Sequence, residues 1–189
     1  MKKLTFVVAA LFAGLTSFAQ TWSLDKSHAK LSYTTSHLMV SESDGYFKVI
    51  DSKITSPKND FTDAVVEFTA DVNSINTDNT DRDNHLKSPD FLDAAKYPSI
   101  TFKSKSFKKV GDKKYKVIGD LTMHGVTKQV ELDATFNGTA VHPYNQKTVA
   151  GFKVTGKIKR TDFGVGTSTP AAVVGDEVNL IANLEYFKD

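Results

Sequence analysis

From Ala64 to Val72 the side chains alternate without a slip, with Ala64, Val66, Phe68, Ala70 and Val72 on one face and Val65, Glu67, Thr69 and Asp71 on the other. A period of two is that of a strand with one face in a core. The same alternation recurs along most of the chain. Ala29, Leu31 and Tyr33 alternate within a stretch from Trp22 to Val40, and a further strand, Tyr46 to Ile54, follows a Ser-Asp-Gly turn. Ile100 and Phe102 begin another. Tyr115, Val117, Gly119, Leu121 and Met123 line the next, which a His124–Gly125 turn joins to Val130, Leu132, Ala134 and Phe136. Ala150, Phe152, Val154, Gly156 and Ile158 then share a face, and Val178, Leu180, Ala182, Leu184 and Tyr186 finish the chain. About eight strands joined mostly by short turns predict an all-β antiparallel sheet that closes into a barrel or folds into a sandwich. Periodicity does not separate the two.

Small residues recur on the apolar faces: Ala64, Ala70, Gly119, Ala134, Ala150, Gly156 and Ala182. In a barrel of about eight strands such positions either leave room for a ligand or fit tight spots in the packing.

One stretch breaks the alternation. Ser74–Phe102 opens with Asp and Asn residues, which favour turns and helix starts. Thr80 is a candidate N-cap, with Asp81 and Asp83 on the positive end of a helix carrying Arg82, His85 and Leu86. Ser88 and Pro89 then predict a second short helix over SPDFLDAAK, stopped by Pro98. The expectation is a helical plug, near residues 80–96, inserted into an all-β chain.

Residues 1–19 read as an export signal: Lys2 and Lys3, an apolar run from Leu4 to Leu15, and the small-x-small site Ser17-Phe18-Ala19 before Gln20. That run is too short to span a bilayer, so the expectation is a soluble exported or periplasmic protein, with residues 20–189 as a single domain. Lys2 and Lys3 are two of 24 basic residues, so their removal leaves 22 against 22 acidic ones. A formally neutral chain carries no electrostatic footprint for nucleic acid or an anionic surface. With no cysteine there is neither a disulfide nor thiol chemistry, and stability must come from the core.

Catalytic and metal signals are sparse. The five histidines, 28, 37, 85, 124 and 142, lack the spacing of a zinc protease motif, although His28 and His37 could meet across a bend in the first strand. Arg82, Asp83 and His85 form a polar set that either clasps the plug to the sheet or meets a ligand head group. Arg160 falls in register with Ala150–Ile158, so its guanidinium points inward and needs a carboxylate, water or a rim position; it reads as a structural latch, with Asp162 and Asp176 as candidate partners, or as a contact for a polar head group. Neither a GxSxG turn nor a phosphate-binding glycine loop is present, and GVGTSTP at 164–170 reads as a loop.

WSLDKSHAKLSY, HLMVSESDGYF, SINTDNTDRDNHLKSPDFLDAAKYPSITFKS, YKVIGDLTMHGVTKQVEL, KIKRTDFGVG and VGDEVNLIANLE occur in that order over nearly the whole chain after the leader. In this the chain resembles the YceI-like family of exported bacterial lipid- or polyisoprenoid-binding proteins. It departs from the family pattern between HLM and GYF, where VSESD is more polar. The resemblance implies an elongated, lipocalin-like antiparallel barrel of about eight strands, periplasmic and often homodimeric, carrying or storing one long apolar molecule. It implies no catalytic residue, no metal and no cofactor other than a bound isoprenoid or lipid. Periodicity then nominates Val66, Phe68, Val117, Leu121, Phe136, Phe152, Val154, Leu180 and Leu184 as ligand-lining residues, and a one-residue register slip would turn whole faces outward. Two rivals remain at this point: a histidine- or metal-dependent enzyme acting on a lipid or quinone, and a ligand-free structural barrel.

Overall fold

In the computed structural model the described residues are 19–189, so the export signal read at residues 1–19 lies, Ala19 apart, outside them. The strands are β1 (Gln20–Leu24), β2 (Lys30–His37), β3 (Ser41–Phe47), β4 (Ile50–Ser56), β5 (Val65–Asp71), β6 (Ile75–Asn76), β7 (Ser99–Gly111), β8 (Lys114–Met123), β9 (Val126–Val141), β10 (Thr148–Lys159) and β11 (Val174–Lys188). They occupy eight positions around a closed antiparallel barrel. The first three positions are each shared by two short strands, β1/β2, β3/β4 and β5/β6; the other five are single long strands. Each position pairs with the next in the chain. Closure comes from β11, which pairs with β10 on one side and, on the other, with β2 (Leu180↔Tyr33) and β1 (Leu24↔Tyr186).

The breaks in the first three positions correct the reading of single strands at 22–40 and 46–54. Asp25 accepts from the Ser27 amide and caps a 3₁₀ turn at Lys26–His28, while its own N–H donates to the Glu185 carbonyl at 2.8 Å. Beside it the chain bends at Lys48–Val49, where both amides donate to Ser74, at its carbonyl and its hydroxyl. Ser74 ends a second 3₁₀ turn, Val72–Ser74, capped by Asp71. The second and third bends are tied to each other, since the Asp71 amide in turn donates to the Val49 carbonyl, while the first is tied to β11. Period-two patterning persists through them and therefore conceals them.

Beyond Val72–Ser74 the wall parts, since β6 pairs with β3 alone. The segment 77–98 fills the gap. Its helix, α1 (Thr80–Lys87), is capped by Asn79, whose side chain accepts from the Arg82 amide, rather than by Thr80. The second helix expected over 88–96 is a run of turns. Leu92 and Ala94 send their amides back to the carbonyls of Leu86 and Lys87, which satisfies the end of α1, and Asp93 takes a φ of 46° that no right-handed helix accommodates. Phe91, Leu92 and Ala94 are buried by this folding-back.

The end of the barrel opposite the plug is packed solid with aromatic rings. Phe61, from the loop between β4 and β5, is 1% exposed and touches Trp22, Phe136 and Phe152 with ring centroids 5.1, 5.2 and 5.0 Å away. Phe152 continues the stack to Phe107 and Tyr186. The phenolic hydroxyls find partners at the edge: Tyr115 donates to the Asp60 carbonyl at 2.6 Å and Tyr186 pairs with Ser52 at 2.9 Å. Removing a ring of this kind forfeits its transfer energy and leaves a void. Phe61→Ala is therefore expected to cost about 3–5 kcal/mol in urea denaturation, more than any single truncation of a side chain on the outer face.

Candidate functional site

Above the aromatic floor the barrel is not filled. A cavity of about 210 Å³ lies between the floor and the plug. Every strand position contributes to its wall, among them Leu31 of β2, Phe47 of β3, Val66 and Phe68 of β5, Phe102 of β7, Val117 and Leu121 of β8, Leu132 of β9, Val154 of β10, and Leu180 and Leu184 of β11. The plug supplies Leu86, Phe91 and Leu92 from above, and the segment after β10 supplies Val165. The polar residues reaching the wall are Tyr33, Thr35, Thr155 and Arg160, and the hydroxyl of Thr35 is already spent on the carbonyls of Gly175 and Glu177. A void this apolar excludes water and accepts an apolar guest.

Of the nine nominated lining residues, Val66, Phe68, Val117, Leu121, Val154, Leu180 and Leu184 stand on the wall. Phe136 and Phe152 do not; they belong to the floor, held there by Phe61. The small inward residues also read differently in three dimensions. Ala64, Ala70, Ala134 and Ala150 are buried away from the cavity, and of the small residues Ala182 alone is on its wall. A Cβ at Gly119 would lie 2.5 Å from the Phe102 ring, and one at Gly156 would lie 2.3 Å from Leu132. These positions make room for large neighbours, not for a guest. Sequence reasoning missed Leu86, Phe91 and Leu92, the apolar residues of an otherwise polar segment.

The inward Arg160 is 4% exposed, and its solution is neither Asp162 nor Asp176. It donates five hydrogen bonds to carbonyls of the following loop and the start of β11: Gly175 (3.1 Å), Val165 (3.0 Å), Gly166, Thr169 (2.7 Å) and Val174 (2.9 Å). The expected carboxylate partners are engaged elsewhere. Asp176 accepts from the amide and hydroxyl of Thr161, which hold its carboxyl below the usual range with a smaller contribution from Arg160, and Asp162 faces Lys128 at 3.5 Å. Arg160 thus folds the 164–175 loop over the cavity's upper end.

The Arg82–Asp83–His85 set splits. Arg82 donates to the Thr77 carbonyl at 2.8 Å, and Asp83 accepts from the Thr77 amide and hydroxyl at 2.8 and 2.7 Å, so both clasp α1 to the end of β6. His85 stands apart, 3.8 Å from Asp90 and edge-on to Phe91. His124 forms, with Gly125, a two-residue hairpin turn in which both take positive φ, 52° and 74°; its ring rests on Tyr97 and the Phe163 carbonyl.

His28 and His37 do not meet. The bend falls at Lys26–His28 and not between the two, and extended β2 then separates them by roughly 30 Å at ~3.3 Å per residue. His28 instead pairs with Asp25 at 2.9 Å. Among the described residues, Asp25, His28 and Glu185 are one group whose ligand atoms, within 4.8 Å of one another, could hold a cation. Both Asp25 oxygens are committed to Ser27 and His28, and none of the three residues lies on the cavity wall. Burial tends to raise the Asp25 carboxyl, but the bonds from His28 and Ser27 outweigh it and its pKa is lowered; Asp25 in turn raises that of His28.

A closed up-and-down barrel with an apolar chamber under a lid places the protein among calyx-type β-barrels. The chain belongs to the YceI-like family: the family model, a YceI-like domain, matches residues 22–186. Protein YceI of Escherichia coli O6:H1 is 39% identical over 184 residues, 96% of this chain and 94% of that one. Burkholderia cenocepacia BcnA superposes with a TM-score of 0.78 at 26% identity, over 86% of this chain and 98% of its own. A polyisoprenoid binding domain from Saccharophagus degradans shares the fold at a TM-score of 0.65 and 18% identity, over 89% of this chain and 98% of its own.

Two measurements check the polar assignments. Arg160→Ala strands five carbonyls and is expected to cost on the order of 3 kcal/mol, with faster amide exchange over 164–175; Arg160→Lys should recover little, since an ammonium lacks the planar fork. The Asp25–His28 contribution is expected to be fully present between the ordinary values, pH 3.8 and 6.5. It is lost as pH rises through the raised His28 pKa, and as pH falls through the lowered Asp25 pKa. Denaturation of the protein and of His28→Ala across pH should converge outside that window.

Proposed function

We propose that this protein is an exported, non-catalytic carrier or store whose barrel takes one long apolar molecule: a polyisoprenoid, an isoprenoid quinone or a fatty-acyl-like chain. The observation that carries the reading is the chamber itself, walled by apolar side chains from every strand position and from the plug. Burial at ~25 cal/mol per Å² of apolar surface is a sufficient driving force without a polar contact. The named ligand class of the Saccharophagus degradans domain supports the same choice.

Size adds a condition. At about 210 Å³ the chamber is smaller than the ~300–1,000 Å³ typical of ligand pockets. It admits a short segment of chain as it stands, and a long one requires the plug and the 164–175 loop to give way. Their anchors, Thr77 with Arg82 and Asp83, and Arg160 with its carbonyls at the upper part of the wall, share no residue with the aromatic floor, so opening need not disturb it. The enzyme reading is the weaker one, because among the described residues no histidine lies on the chamber wall. Location outside the cytoplasm, and the homodimer implied by family likeness, belong to this proposal; among the described residues no helix is long and apolar enough to cross a membrane.

Native mass spectrometry with organic extraction of the purified protein is expected to release one apolar species of defined mass per barrel. Val154→Phe fills the chamber at a stability cost of about 1–3 kcal/mol and should lower the bound fraction roughly tenfold. A protein that elutes empty, or a folded Val154→Phe variant that retains its full lipid content, would sink the reading.

A further inference from the structure

The β2–β3 hairpin carries its most exposed apolar side chains where a turn normally carries polar ones. Leu38, Met39 and Val40 are 52, 76 and 83% exposed. Leu38 and Met39 also take positive φ, 51° and 60°, conformations for which glycine or asparagine is the unstrained choice. Neither folding nor packing accounts for large apolar residues there. The polar run SESD belongs to strand β3 and leaves the tip itself uncharged.

A second uncharged segment adjoins this tip, and the groove that Met39 shares with Ala171 and Ala172 is bordered by Glu42, Asp176 and Glu177. The Leu38 amide donates to the Val173 carbonyl at 2.9 Å, and Ala171, Ala172 and Val173 are exposed beside it. In a chain with 24% charged residues, the thirteen positions from Phe163 to Gly175 carry none. The two segments form one apolar rim at the plug end of the barrel. That rim runs directly into the chamber: Val174, next to exposed Val173 and paired with His37, lines the cavity wall, as does Thr35. Leu38, Met39, Val40 and Val173, with the two small alanines, expose roughly a few hundred Å², well short of the ~800 Å² per partner that a stable protein interface buries. A protruding, uncharged tip of that size fits the interfacial layer of a bilayer.

We propose that the Leu38–Val40 tip, with the adjoining Ala171–Val173 segment, is a lipid-bilayer docking surface that sets the chamber's upper end against the membrane. An apolar chain then passes between bilayer and barrel along Val173 and Val174 without crossing water. The purpose given to the surface rests on the apolar cargo proposed above, whereas the docking itself is measured without cargo.

Flotation of the purified protein with phosphatidylcholine vesicles tests it. The protein is expected to float with phosphatidylcholine vesicles at low and high salt alike, and no better when phosphatidylglycerol is added, because the tip itself is uncharged and its flank, Glu42, Asp176 and Glu177, is acidic. Met39→Asp with Val40→Asp should weaken flotation roughly tenfold or more, with an unchanged circular-dichroism spectrum and melting midpoint. Met39→Trp should strengthen it, the added indole's emission shifting to the blue on vesicles, while Trp22 is buried and silent. Lack of flotation, flotation that needs anionic lipid and low salt, or flotation untouched by the double substitution overturns the proposal. So does a dimer that the double substitution dissociates, which would make the tip a subunit contact. Loss of lipid in the extraction experiment with flotation intact counts against the cargo reading alone.

Discussion

The protein depends on the closure of its sheet. Once β11 pairs with β1 and β2 as well as β10, every strand except β6 has two neighbours, and the inward side chains share one interior. A barrel of about eight strands is only just wide enough to be filled by its own side chains. Here one end is filled, because the β4–β5 loop contributes Phe61 to the stack around Phe152. The other end is lined by aliphatic side chains and by Phe47, Phe68, Phe91 and Phe102, and remains hollow. The floor and the chamber differ in how far the inserted ring is packed: Phe61 meets three other rings at the floor, whereas Phe91 of the plug borders the empty space.

The chamber's upper boundary is built from irregular backbone, which must satisfy its own polar groups. Two devices do this. Thr77, Arg82 and Asp83 close α1 onto the end of β6, and Arg160 gathers the carbonyls of the next loop with one buried guanidinium. Both lids therefore present Leu86, Phe91, Leu92 and Val165 to the chamber, with the Thr77 clasp off the wall and the Arg160 guanidinium satisfied by carbonyls where it reaches the wall. A lid held by a few discrete clasps can open as a unit, whereas the aromatic floor cannot.

Much of this was legible in the chain. Alternation placed Val66, Phe68, Val117, Leu121, Val154, Leu180 and Leu184 on the inner face, and that face is the chamber wall. It placed Phe136 and Phe152 on the same face correctly, but could not say at which height along the barrel a ring meets Phe61, a loop residue without periodicity. The small residues misled for a related reason. Gly119 and Gly156 are gaps in the sequence pattern, yet Phe102 and Leu132 on neighbouring strands lean across them. Arg160 was rightly turned inward, but a search for a carboxylate could not foresee that a folded loop would offer carbonyls.

By itself the sequence determined the strand periodicity, the antiparallel connectivity, the plug's place in the chain and the absence of thiol chemistry. Those follow from side-chain direction and local backbone preference, which act between near neighbours. Tertiary structure decided where the long strands bend, that the segment over 88–96 turns back instead of coiling, and which part of the interior stays empty. Each of these depends on a donor finding an acceptor, or a ring filling a space, across strands far apart in the chain. Asn79 in place of Thr80 as the helix cap shows the boundary between the two: residue type predicted a cap, and only the path of the backbone chose which residue supplied it.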